Sequence, residues 1–544
     1  MGRIALLVVL LLSLMTLYTI GIAHGAPRPE YSPSTEEQGW LNPQTIHHPD
    51  EFAYVGISYR MLLKKQWDPK YYHNPALTIY TNMFMFAAGD ATDLLHDADF
   101  SVREIAPFQL YFVARYLSAL HTMLMAAFVF AAGRAFFDWR AGVIAAAVVG
   151  FSPLVTQHAH YATPNAQATM LMTAALFAAA RILKGESRLP LWVVYAVGGL
   201  LVGLTMAARY NAVVVGLVVG LAMLTGWWQH RKWLLVVIGG VMMPVGLVLG
   251  FPPIVLVTSK VIDQVRGILE WYRVQGGGAG FTTTWGLSAL YYHWRYLVLI
   301  ALGPVSTLAA ILGIVRGVRQ GWRSPRWRET WIVVVLIVFV LVYTCLALLG
   351  KRIQNNLLFP LVVALGLLAG YGTAWLKKQH LGLVIGAGLV AWPALLSILF
   401  VVRVATPDTR EKAQEWIYTH VPRDSKVYLL GPYNVPLDPL DYRVRQTYGQ
   451  EATPEKVRDS NAQIIVYSDA VPFLTLRDTA LSKPQTIQTE RGIQRVLADD
   501  WIELARFERV PWPAENLAPD DVSYWHQVEI VIYCNPDDCP VSNF

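Results

Sequence analysis

The sequence is short of charge. Asp, Glu, Lys and Arg make up 15% of its 544 residues, where a soluble domain carries about a quarter. With 54% hydrophobic residues, so few charges cannot furnish a water-facing surface for a chain this long, which excludes a soluble enzyme. Cysteine is scarce as well, at three residues. Cys345 lies in an apolar run and reads as inert packing. Cys534 and Cys539 could form a zinc pair only with two more ligands nearby, and none is evident. A short-loop disulfide in an oxidising compartment is the better reading. The formal net charge is +6, yet no Lys/Arg block marks a nucleic-acid arm, so nucleic acid is not an expected partner. No internal repeat or low-complexity tract is present.

Long apolar runs take the place of charge. About 20 apolar residues suffice for a helix to cross the hydrocarbon core, and by that ruler the chain holds about eleven spans. They fall near 4–24, 108–133, 142–157, 166–183, 191–207, 211–227, 233–257, 296–315, 330–349, 356–376 and 381–402. The first run is longer than the apolar core of a signal peptide, although Ala23-His24-Gly25 offers a passable cleavage site. The 19 Trp and 26 Tyr suit a chain with many lipid–water boundaries, where such rings settle.

Orientation follows from the basic residues. With the N-terminus cytoplasmic, Arg3, Arg134, Arg140, Arg181, Lys184, Arg231, Lys232 and the run RGVRQGWRSPRWRE at 316–329 all fall inside, as do Lys377 and Lys378. This is the positive-inside pattern. Three large segments then lie outside: 25–107, 258–295 and 403–544. Residues 1–402 form the transmembrane domain, and 403–544 a small extracytoplasmic α/β domain. In that tail, 409–420 has helical spacing after the start signal Pro407-Asp408. The runs 427–430, 464–467 and 528–533 read as strands.

Chemistry concentrates in the outer segments. His47-His48-Pro49-Asp50-Glu51 sets two carboxylates at the start of an amphipathic stretch, 52–65. Tyr54, Ile57, Met61 and Leu62 repeat at helical spacing, as in a helix lying in the interface plane. Acidic residues in a first turn also simply suit the helix dipole. Tyr72-His73-Asn74-Pro75 follows, then Arg115 in the second span. His158-Ala159-His160-Tyr161-Ala162-Thr163-Pro164-Asn165 forms the next outer loop. Arg209-Tyr210 separates the fifth and sixth spans, and Lys351-Arg352 precedes Pro360. The glycine run at 276–280 has no following Lys-Ser/Thr, so it is not a nucleotide loop; it reads as a flexible turn or a lid.

In that order, these motifs resemble the GT-C superfamily of membrane glycosyltransferases. The resemblance is strongest to the branch holding dolichyl-phosphate-mannose–protein mannosyltransferases and bacterial aminoarabinose transferases. It covers roughly residues 1–400. It implies a GT-C-like α-helical polytopic membrane protein that transfers a sugar, with inversion, from a polyprenyl-phosphate-linked donor to an acceptor hydroxyl outside the membrane. Asp50 is then the catalytic acidic residue, with Glu51 beside it. Arg209, Lys351, Arg352 and Arg115 are the candidates to hold the donor phosphate, and Arg suits a bidentate contact. His48, His73, Asn74, His160, Tyr161 and Asn165 are the candidate substrate contacts. Two departures stand out: Asn74-Pro75-Ala76-Leu77 replaces an HPPL-like motif, and Asn165 replaces an acidic residue. Losing that carboxylate weakens the case for a divalent metal, so no cofactor is assigned. The acceptor is a protein, lipid or glycan, and the setting a bacterial or archaeal cell membrane. A transporter or flippase of lipid-linked sugars, or a non-catalytic assembly factor, is the alternative.

Overall fold

The computed structural model describes residues 2–26, 48, 50–92, 108–185, 189–275, 287–323, 327–348, 355–373, 379–431, 433–447, 452–477, 484–518 and 527–541. The expected Lys351 and Arg352, the glycine run at 276–280, and Lys377 and Lys378 lie outside the described residues. Seven described helices are long and apolar enough to cross a membrane, or nine if each of two bent pairs is one span, and two shorter apolar helices accompany them. Each of the eleven expected spans therefore falls on apolar helix.

The membrane part runs α1 (Arg3–Thr19), α2 (Glu51–Leu63), α3 (Leu77–Ala91), α4 (Phe108–Phe136), α5 (Trp139–Gly150), α6 (Pro153–Ala159), α7 (Pro164–Lys184) and α8 (Leu191–Ala208). After a 3-10 turn at Tyr210–Val214 come α9 (Val215–His230), α10 (Trp233–Gly250), α11 (Pro253–Leu256), α12 (Thr258–Gln275), α13 (Leu287–Tyr296) and α14 (Pro304–Arg323). Then follow α15 (Trp327–Leu348), α16 (Phe359–Thr373) and α17 (Gln379–Val404).

Several boundaries differ from expectation for identifiable reasons. The third span bends by 63° between α5 and α6, where Pro153 cannot continue the hydrogen-bond ladder. The eighth expected span, 296–315, is broken: Gly303 takes a left-handed φ of 79° ahead of Pro304, and the chain turns by 108° there. The segment after 258 opens as helix α12 rather than as a loop. Cys345 is exposed, so it is not packed within the bundle.

Helix α2 departs most from its reading as an interface helix. Tyr54, Ile57 and Met61 are buried, but so are Ala53, Val55, Ser58 and Tyr59 on its other sides. One side packs with Phe86, Leu110, Tyr111 and Ala114, and another with Ile79, Met83, Ala207 and Phe251. The helix is walled in by α3, α4 and the end of α8, so its first turn is held by protein rather than lipid.

The C-terminal part holds α18 (Thr409–His420), β1 (Lys426–Leu430), β2 (Arg443–Thr447), α19 (Pro454–Arg458), β3 (Ile464–Ser468), α20 (Ala470–Arg477), α21 (Pro484–Asp500), β4 (Ile502–Phe507), α22 (Ala514–Leu517) and β5 (Ile530–Cys534). Asp408 caps α18, accepting from the Arg410 N–H at 2.7 Å. The sheet order is β2-β1-β3-β5-β4. β2, β1 and β3 are parallel, and β5 runs antiparallel to both its neighbours. Cys534 and Cys539 are disulfide-bonded, as read from their spacing. One sheet face, with Leu429, Val466 and Ile532, joins the same core as the bundle. The other packs Tyr467 and Val531 against Ile493 and Leu497 of α21.

Candidate functional site

The site begins at the start of α2. Asp50 is the N-cap residue and exposed, while Glu51, the next residue, is fully buried. Neighbouring side chains on a helix point about 100° apart, so the pair divides between two environments.

Glu51 is locked. Arg115 of α4 donates to it from Nε (2.8 Å, to Oε1) and Nη2 (2.6 Å, to Oε2), a bidentate pair. The Ala162 N–H also donates to Oε1 at 2.8 Å. Arg115 spends its other hydrogens on the carbonyls of Ile22, His24 and Gly25, at 2.7, 2.8 and 3.4 Å. Its guanidinium lies 5.5 Å from the Tyr161 ring centre. Arg115 is itself fully buried. This corrects the expectation that it holds the donor phosphate: its donors are spent on the protein. The pair ties α2, α4, the segment after α1 and the loop before α7 into one knot.

His48 sits against this knot. It is 1% exposed, and its ring lies 4.7 Å from that of Tyr161. The Asp50 backbone N–H donates to its Nδ1 at 3.1 Å. A backbone N–H can only donate, so Nδ1 accepts, and the neutral ring carries its proton on Nε2. Burial, with His158 and the Arg115 guanidinium nearby, holds this imidazole well below the usual histidine range. His48 thus orients Asp50 without adding charge.

Asp50 and Arg209 both bear on Tyr54 through their charge. Burial pushes the Tyr54 phenol up, as do Tyr71 and Asp50, while Arg209 pulls it down. A carboxylate and a guanidinium thus lie within electrostatic reach of one ring. Arg209 is placed there because α8 stops: it is the C-cap, with extended backbone at φ −157° and ψ 124°. The chain then turns through the 3-10 segment. Arg209 Nη1 donates to the side-chain oxygen of Asn165 at the start of α7. The Asn165 amide nitrogen reaches His158 Nδ1 at 3.1 Å and Thr163 Oγ1 at 3.3 Å.

The other expected contacts divide. Tyr71 meets Tyr54 edge-on with ring centres 6.4 Å apart, and His73 at 5.4 Å. Asn74 Nδ2 reaches the Tyr71 hydroxyl at 3.5 Å. His73 is exposed and Asn74 half-buried, so both stand on the rim beside Tyr54. His160 turns elsewhere: its ring nitrogens meet the carbonyls of Thr156 (2.7 Å) and Ile20 (2.9 Å), and it packs edge-on to Phe400. Its role is to fasten the segment after α1. Tyr161 is buried between His48 and Arg115.

Sequence reading missed Tyr71 and His24. Tyr71 carried a signal, standing directly before Tyr72-His73-Asn74. His24 carried none. Its Nε2 lies 3.2 Å from the Asp408 carboxylate, which is also held by Arg410 at 2.8 Å. Among the described residues no group of three or more His, Cys, Asp or Glu side chains gathers as a metal cradle.

Residues 104–255 match the family model described as dolichyl-phosphate-mannose-protein mannosyltransferase. No curated protein matches the chain. Among solved structures, the chain is similar to an Archaeoglobus fulgidus oligosaccharyltransferase in its apo form. The identity there is 11% and the TM-score 0.50, over 94% of this chain and 75% of that one. It is also similar to ArnT from Cupriavidus metallidurans bound to undecaprenyl phosphate, at 13% identity and a TM-score of 0.48 over 99% of both chains. A third is the arabinofuranosyltransferase AftD from Mycobacteria, at 14% identity and a TM-score of 0.43 over 98% of this chain and 40% of that one. The likeness to the Archaeoglobus enzyme concerns the fold alone, a bundle of apolar helices long enough to cross a membrane with a C-terminal sheet. The family match agrees with the resemblance read from the motifs over residues 104–255, which hold Arg115, Asn165 and Arg209 and leave Asp50, Glu51, Lys351 and Arg352 outside.

Proposed function

We propose that the chain moves a sugar from a polyprenyl-phosphate carrier to an acceptor hydroxyl at the extracytoplasmic rim of the bundle. The observation that carries this reading is the hydrogen-bonded row Arg209–Asn165–His158, with Asp50 exposed at the head of α2 and the charges of Asp50 and Arg209 both felt at Tyr54. Asp50 is the exposed member of the acidic pair, so it can meet an acceptor from water. Glu51 and Arg115 are spent on holding it in place.

The chemistry follows from these roles. The acceptor O–H gives its proton to the Asp50 carboxylate as its oxygen bonds to the anomeric carbon. The bond from that carbon to the phosphate oxygen breaks, and the electron pair leaves on polyprenyl phosphate. Arg209 faces the charge that grows there and offsets it. Lys351 and Arg352 are further candidates for this phosphate. The undecaprenyl phosphate bound in the ArnT structure and the dolichol phosphate bound in an archaeal oligosaccharyltransferase structure are in keeping with such a carrier. The C-terminal disulfide is in keeping with an extracytoplasmic tail. The acceptor is a protein, lipid or glycan hydroxyl, in a bacterial or archaeal cell membrane.

Asp50→Asn tests the reading. It keeps shape and exposure but removes the base, so sugar transfer by the purified protein should fall by about 10²–10⁴. The protein should accumulate and melt like the wild type. Unchanged transfer would remove Asp50 from the chemistry. Arg352→Ala should raise the apparent KM for the donor more than that for the acceptor, and an unmoved donor KM would count against its phosphate role.

A further inference from the structure

The proton on one buried histidine beside Arg209 can be assigned. His158 is 1% exposed, on α6, with its ring edge-on to Phe359 at 5.0 Å. Arg209 can only donate, so the Asn165 atom that it meets is the amide oxygen. That fixes the amide flip. The nitrogen then has two hydrogens for two acceptors, His158 Nδ1 and Thr163 Oγ1. Nδ1 of His158 accepts, so a neutral ring carries its proton on Nε2. Nε2 is buried and has no hydrogen-bond partner among the described residues. A buried N–H without an acceptor costs free energy that an apolar residue in its place would not.

We infer that His158 is a ligand-binding residue whose Nε2–H donates to an oxygen of the donor's phosphate, and that Asn165 is the positioning residue that holds it in this donating form. The inference rests on the proposed reading of the site. A phosphate oxygen suits a group that only donates, because it only accepts. The chain of contacts also starts at Arg209, the cation given to that phosphate, so one amide links both donors. The asparagine at 165 thereby gains a physical reason. A carboxylate there would accept from Arg209 and from His158 Nδ1–H together. The neutral ring would then turn its Nε2 lone pair towards the phosphate.

The test is binding of sugar-free polyprenyl phosphate to the purified full-length protein, with no turnover needed. Gln at 158 places an amide nitrogen about where Nε2 stands, whereas Asn reaches only about as far as Nδ1. His158→Gln should keep the affinity within about threefold, and His158→Asn should lose about tenfold, on the scale of one hydrogen bond to a charged group. A generic packing role would lower the melting temperature in step with the affinity, whereas loss of this donor alone lowers the affinity. Equal affinities, or equal losses, would overturn the binding role. Asn165→Asp should cost clearly more with His158 present than in the His158→Gln background, where no tautomer exists. Equal costs in both would overturn the positioning role. A wild-type protein that fails to bind the carrier at all would overturn the reading of the site, and this inference with it.

Discussion

Two adjacent carboxylates do opposite work because burial separates them. Asp50 stays in reach of water, and Glu51 is sealed against Arg115. Breaking a buried ion pair from one side leaves the other charge unpaired, at a cost of about 3–5 kcal/mol. Glu51→Gln should therefore lower the melting temperature and the amount of folded protein, in contrast to Asp50→Asn. A Glu51→Gln protein that melts like the wild type yet transfers no sugar would make Glu51 a catalytic group instead. In the tail, burial pushes the Glu490 carboxyl up to about 7, above its ordinary value near 4.5. The folded state then holds a proton that the unfolded state has lost between those values. Stability that is present below about pH 4.5 is lost as pH rises through about 7. Glu490→Gln should flatten this slope, which melting curves of the intact protein at pH 5 and pH 8 would check. The carboxylates at 50 and 51 were legible in sequence. Their division of labour was not, because Arg115 lies 64 positions from Glu51, and no local pattern reports such a distance.

At the level of elements, helix α2 is positioned by how closely its neighbours approach. α8 and α10 pack with almost no side chain between them. A Cβ added at Gly199 would run into the Gly239 carbonyl, and one at Gly203 into that of Met243. Small residues at such spacing let membrane helices touch backbone to backbone. Gly203→Leu should force the two apart and displace Arg209, which ends α8. Loss of accumulation in the membrane fraction, measured beside an exposed control such as Gly240→Ala, is the expected outcome. Normal accumulation and activity would contradict the close packing. The spans were legible because apolar length is a strong signal. The bends at Pro153 and Pro304 were less so, since hydropathy does not record direction. α2 read as an interface helix because its Tyr54–Leu62 stripe is amphipathic, but partners distant in sequence cover its other sides too. In the tail, β1, β3 and β5 were readable from apolar runs. β2 and β4 were not, because half-exposed edge strands such as Arg-Val-Arg-Gln-Thr carry polar residues.

Across the whole molecule, the tail is fastened to the bundle by buried charge. Arg403 at the end of α17 pairs with Glu515 and donates to the Gln527 carbonyl at 2.9 Å, and the Trp512 indole N–H donates to the Leu396 carbonyl at 3.0 Å. His24 meets Asp408 across the same boundary, while Arg115 holds the His24 carbonyl. The tail thereby touches the segment that supports Glu51. Arg403→Ala should expose the tail to limited proteolysis without removing the spans, and an unchanged cleavage pattern would contradict a docked tail. The central claim, that this arrangement breaks a sugar–phosphate bond, is tested most directly by following the carrier. The purified wild-type protein, given a labelled polyprenyl-phosphate sugar and an acceptor extract, should yield one polyprenyl phosphate for each sugar transferred. A carrier that crosses vesicle leaflets with its sugar still attached would contradict the account and identify a flippase.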